Sequence, residues 1–177
     1  VGQPEVRAAV VNYLRNQGFS HVVQIFQAVP SFFPEVEWVT TAQDQWTGML
    51  AFNIEQFTET RISMPAAGNS GGGPVGTKMR TYQCSILVHQ QYWIPDFYAP
   101  GEDAASYVSM IDTLVEEVVS AIHADPTLGS AGKPVFQAGQ ADQGITTYQE
   151  VPQYNSDQSG IYAWTRIAFT LDEVIQA

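Results

Sequence analysis

Cysteine, positive charge and long apolar runs are all scarce in this chain, and each shortage excludes a class of protein. There is one cysteine, Cys84, so no disulfide can form within the chain. It lies in an apolar-rich strand pattern where a buried thiol is expected, and such sparing use fits a reducing compartment. Seven basic residues stand against 18 acidic ones, a formal charge of −11. Duplex nucleic acid is held mainly by Lys and Arg on phosphates, so this balance argues against specific DNA binding. Arg7, Arg15, Arg61, Lys78, Arg80, Lys133 and Arg166 are scattered, with no run among them. No stretch approaches the ~20 apolar residues of a membrane-spanning helix. Val1 onward carries no signal-peptide pattern. The expectation is a soluble protein made in the cytoplasm, with no membrane partner.

Motifs of chemistry are equally thin. His21, His89 and His123 fall on different predicted elements without ligand spacing, so no metal site is expected. Gly71, Gly73 and Gly76 spell G-x-G-x-x-G, but that fingerprint must open a helix, and here a strand follows and Pro74 interrupts it. Thr77-Lys78 reverses the Lys-Ser/Thr order of a phosphate loop. The segment 65–77 is therefore expected to be a flexible Gly-rich loop. Cys84 lacks a basic neighbourhood to activate it. Asp112, Glu116 and Glu117 lie on the polar side of a helix, where carboxylates are solvated and not poised for acid–base work. No catalytic residue and no cofactor is expected.

What the chain does have is pattern. At 177 residues it is read as one domain. Pro4 opens a helix to about Gln17, with Val6, Ala9, Val10, Tyr13 and Leu14 as its stripe and Gly18 past its end. His21 to Val29 reads as a strand, Ser31 to Trp46 as irregular. Thr47–Gln56 and Phe57–Met64 read as two paired strands, although no Gly or Asn marks a turn between them. Lys78 to Tyr92 is the strongest strand, with Tyr82, Cys84, Ile86 and Val88 toward the core and His89 on the other face. A long helix follows Gly101, its stripe formed by Val108, Ile111, Leu114, Val115, Val118 and Ile122. Asp125-Pro126 and Gly129 end it. Short strands at Pro134–Ala138 and Ile145–Val151 precede a final one at Gly160–Leu171.

Grouped strands, without βαβα alternation, predict an α+β fold: a mixed, largely antiparallel sheet with two helices packed on one face. Trp93, Phe97 and Tyr98 lie in or beside a loop. They fit either anchors of a protein interface or aromatics closing the end of the sheet.

The element order and several phrases resemble the tail terminator (tail completion) proteins of long-tailed bacteriophages. The similarity runs from about Pro4 to Val174. It is carried by Val6, Val10, Tyr13 and Leu14 in the first helix, by FTETRISMP (57–65) and KMRTYQCSILVHQ (78–90), by HADPTLGS (123–130) ending the long helix, and by AWTRIAFTLDEV (163–174). The Gly-rich loop and WIPDFYAPG (93–101) depart from a minimal member of that family.

The resemblance implies a structural virion protein that forms a homohexameric ring. That ring caps the tail tube, ends its polymerisation and joins tail to head. Its partners would be other copies of the chain, the major tail tube protein and a head-completion or connector protein. DNA would pass through an acidic lumen without specific binding. Arg61, Lys78 and Arg80, the cations flanking the variable loop, would bridge to a neighbour's carboxylates. Rival readings are a head-completion or minor tail protein, a small-molecule-binding α+β domain with an aromatic pocket under the long helix, and an enzyme with dispersed residues.

Overall fold

The computed structural model describes residues 2–31, 46–61, 76–93, 104–129, 135–138, 144–154 and 160–176. Helix α1 spans Gln3–Asn16, with Pro4 in its first turn, where the missing N–H costs nothing. The Glu5 carboxylate accepts the Gly2 amide at 2.6 Å, satisfying one of the orphan donors of the helix start. Gly18, at φ +66°, turns the chain out of the helix. Strand β1 (Val22–Phe26) follows, then β2 (Trp46–Arg61) and β3 (Thr77–Trp93). Helix α2 covers Ala104–Ala124. Its end is built by Asp125, whose carboxylate accepts the amides of Thr127 at 3.0 Å and Gly129 at 2.9 Å. The last strands are β4 (Val135–Ala138), β5 (Thr146–Gln149), β6 (Gln153–Tyr154) and β7 (Gly160–Gln176).

The sheet runs β1-β2-β3-β7, and β7's far edge is lined end to end by three short strands, β4 at 171–174, β5 at 165–168 and β6 at 161–162. It is thus five strands wide. β1 joins β2 in parallel and every other pairing is antiparallel, so the sheet is mixed. Both helices lie on one face, where Tyr13 of α1 donates its hydroxyl to the Ala121 carbonyl of α2 at 2.6 Å. Beneath them Leu50, Phe52, Ile86, Val88 and Ile167 from three strands meet Val10, Leu14, Leu114 and Val118 in one buried core. The expected α+β architecture is the one observed.

Four details differ from the reading of the sequence. The two strands expected at 47–56 and 57–64 are, as far as Arg61, one continuous β2, which carries a one-residue bulge between Ile54 and Gln56; 62–64 lie outside the described residues. The bulge inverts the in–out alternation, so a single strand looks like two. β1 is shorter than expected, and β7 runs on to Gln176. His89, expected on the uncovered face, is only 2 % exposed; Met49 and Ala51 beside it on that face are buried too. The face away from the helices is therefore not solvated along its whole length.

Candidate assembly surface

The hairpin β2–β3 extends well past β1, which covers β2 only as far as Ala51. Cross-strand register then sets three rows on the helix-side face of its far end. Arg61 lies beside Lys78 and Ile175, Glu59 beside Arg80 and Glu173, Phe57 beside Tyr82 and Leu171. All three cations singled out in the sequence meet here. The patch gathers those three with two carboxylates in a chain that is otherwise strongly acidic.

Two of the three cations are already engaged. Lys78 Nζ stands 2.7 Å and Arg80 Nε 2.8 Å from the carboxylate of Glu59. Hydrogen bonds from both hold the Glu59 carboxyl below the usual carboxylate range. Lys78 and Arg80 therefore reach a neighbour's carboxylate only in competition with Glu59. Arg61 makes no ion pair with any described residue. Glu59 escaped the sequence reading because its role depends on register across a hairpin, and nothing local announces it.

Beneath this patch the chain buries a carboxylate. Glu173 is 0 % exposed; one of its oxygens accepts the Tyr82 hydroxyl at 2.7 Å and the other has no hydrogen-bond partner. Burial and the Glu173 carboxylate together push the Tyr82 phenol up to about 12. On the opposite face, Glu55 at the bulge reaches across β3 to Arg166 on β7, with two contacts of 2.5 Å, and Arg166 stacks 5.4 Å over the Tyr148 ring. That pair ties the outer strands together through the middle one.

The remaining described cations are also spent inside the chain. Arg15 donates to the Ile25 carbonyl at 3.0 Å, and Arg7 to the Gln27 carbonyl at 3.1 Å. Both act on β1 and its exit, so the arginines of α1 cover that edge of the sheet. Beyond Glu55 no described residue gives the β2 edge such cover, and residues 55–61 are all exposed.

The aromatic candidates lie elsewhere. Trp93 is the last residue of β3, about 45–50 Å along the strand from Lys78 and Arg80. Phe97 and Tyr98 fall outside the described residues, as does the Gly-rich loop apart from Gly76 and Thr77. At the Trp93 end the sheet is closed by Trp46, stacked between His21 at 4.3 Å and Tyr92 at 6.0 Å. The described candidates therefore do not form one site: the cations gather at one end of β3, and Trp93 sits at the other.

Cys84 and His89, both singled out in the sequence, are buried away from the patch. Burial pushes the Cys84 thiol up to about 12, far from a reactive thiolate. His89 lies 4.0 Å from the Trp164 ring and 5.8 Å from Tyr162, and burial pushes its pKa down to about 4. Among the described residues no three of His, Cys, Asp and Glu are grouped to hold a metal ion. Compared with known proteins, the chain matches no family model, and a search of curated proteins gives no match.

Proposed function

We propose that this chain is an assembly protein of the phage tail terminator kind, working as a homohexameric ring on the end of a tail tube. One ring face copies the contacts of a tube subunit, and the other fails to template a further tube ring. Head-side partners then dock on that second face. The reading gives the chain a place in the virion, at the head-proximal end of the tail, and gives no residue a reagent's role.

One observation supports it above the others. Beyond Glu55 the β2 edge of the sheet is exposed beside a cationic patch with no described strand on it, while farther along the same edge β1 pairs with β2 and receives arginines from α1. Exposed strand edges favour pairing with another chain, and natural proteins that stay single cap them. The described part of α2 gives the rival pocket reading no support. Ile111, Leu114, Val118 and Ile122 are all buried, and Leu114 presses directly on Gly48.

Native mass spectrometry with negative-stain imaging of the purified chain tests the reading, together with its addition to polymerising tail tube subunits. Rings of six that halt tube growth are expected. A head-completion protein would leave tube length unchanged. A chain that neither associates at any concentration nor alters tube growth would remove the proposal.

A further inference from the structure

We infer that the outer edge of β2 beyond its bulge pairs with the outer edge of β5 in a second copy of this chain, so that one sheet continues into the next. This deepens the ring reading and rests on it, because that reading requires self-association and the present step names the edges that meet.

The argument starts from which backbone groups point outward. The Gly48 amide bonds the His21 carbonyl at 2.8 Å, on the β1 side of β2. Alternation in an antiparallel ladder then turns the N–H and C=O of Gly48, Leu50 and Phe52 away from β3. The Phe52 carbonyl does accept from Arg7, at 3.4 Å. The bulge at Glu55 shifts this alternation by one residue. Past it Gln56, Thr58 and Thr60 bond toward β3, while Phe57, Glu59 and Arg61 present their amides and carbonyls outward. No strand among the described residues receives them.

The same test applies to the far side of the sheet. The Glu150 amide bonds the Trp164 carbonyl at 2.9 Å, so Thr146, Tyr148 and Glu150 face β7. Thr147 and Gln149 therefore point outward, again with no described strand beyond them. All residues of β5 are exposed. Each edge also carries a half-exposed aromatic, Phe57 at 47 % and Tyr148 at 53 %.

Direction fits as well. β2 is antiparallel to β3, β3 to β7 and β7 to β5, so β2 and β5 run in opposite senses within one copy. β5 lies level with residues 50–53 of β2, so a second copy in the same orientation, displaced by about 20 Å along the strands, brings the two edges together as an antiparallel pair, with its helices on the same side. The joint uses different surfaces on the two copies, so it propagates until the per-copy rotation closes a ring. β1 offers less, because Arg15 already occupies the Ile25 carbonyl and Arg7 the Gln27 carbonyl just past its end.

Proline removes an outward amide and is tolerated on a strand edge. Glu59→Pro and Gln149→Pro are the tests, with Glu59→Gln and Gln149→Ala as controls that keep the amide. Assembly of the full-length chain is followed by native mass spectrometry and sedimentation, with melting temperature as the check on folding. Each proline is expected to weaken self-association at least about tenfold and Gln149→Ala to leave it within about twofold, while Glu59→Gln, which frees Lys78 and Arg80, should not weaken it. Mixed in equal amounts, the two proline variants should form mixed dimers and stop, since together they hold one intact pair of edges. Phe57→Lys supplies a further β2-edge variant that leaves every amide in place and should weaken assembly likewise.

Folded proline variants that assemble like the wild type overturn the edge pairing and leave the ring reading standing. Wild-type chain that stops at two copies overturns the pairing of unlike edges. Proline-sensitive assembly with a copy number other than six keeps the edges and overturns the terminator reading. Failure of wild-type chain to associate at all overturns the pairing outright.

Discussion

Gly48→Ala tests how the long helix is seated on the sheet. A Cβ at Gly48 would stand 2.7 Å from the Leu114 Cδ2, against 3.7 Å from the His21 carbonyl oxygen and from Val22 Cγ2. Only the first distance is closer than carbon atoms approach. Leu114 is fully buried, so its methyl moves only if neighbouring core side chains or α2 move with it. Overpacking of this kind costs ~1–3 kcal/mol. Against it stands the gain of alanine over glycine in a strand, ~0.5–1 kcal/mol. Gly48 is not among the positive-φ glycines, so no backbone strain enters. The overpacking wins, and a net loss of ~1–2 kcal/mol is expected, or roughly 2–8 °C in melting temperature for a chain of this size. Leu114→Ala alone should cost ~2–5 kcal/mol by emptying the same space. In that background the added methyl keeps only ordinary van der Waals contacts, and Gly48→Ala should become stabilising by ~0.5–1 kcal/mol. The resulting coupling of ~2 kcal/mol is well above the ~0.3–0.5 kcal/mol scatter of independent sites. Urea melts of the four proteins, at concentrations that keep them monomeric, measure it. An equal cost of Gly48→Ala in both backgrounds would refute the seating of α2 on β2 described above.

Three further perturbations probe the interior. Burial holds His89 neutral, with a pKa of about 4 in place of 6.5, while Gln91, Tyr162 and Trp164 face it. The unfolded chain takes up a proton that the folded chain refuses, so this contribution is complete above about pH 6.5 and drains as pH falls toward 4. Stability should drop by ~1–1.5 kcal/mol between about pH 7.5 and 5.5, and His89→Gln should flatten that window in pH-resolved urea melts. Cys84 is 2 % exposed with its thiol pushed up to about 12, so a thiol reagent at mildly alkaline pH should label it no faster than global unfolding. Fast labelling of the folded chain would refute its burial. Tyr82→Phe removes the donor that Glu173 uses and leaves a buried carboxylate without it, at a cost of ~1–3 kcal/mol. Pairing it with Glu173→Leu should recover most of that loss on thermal melts.

What could be read from the sequence, and what could not, divides along one physical line. An apolar stripe is a local property, and Ile111, Leu114, Val118 and Ile122 lie buried as their spacing predicts. So is a helix stop, since Asp125 satisfies amides within four residues of itself. The three cations were found because the arms of a hairpin must bring the residues flanking its loop together. Their partner was not found, because Glu59 meets Lys78 and Arg80 only through a register that the bulge sets. That single extra residue shapes both faces of the sheet. It puts Glu55 on the open face, within reach of Arg166, and carries Phe57, Glu59 and Arg61 to the helix-side face with their amides outward. Without it, Thr58 and Thr60 would occupy that face and edge, Glu59 would point away from Arg80, and the cationic patch would lose its acid. The irregularity that made β2 look like two strands is therefore what builds the surface by which the chain is proposed to assemble.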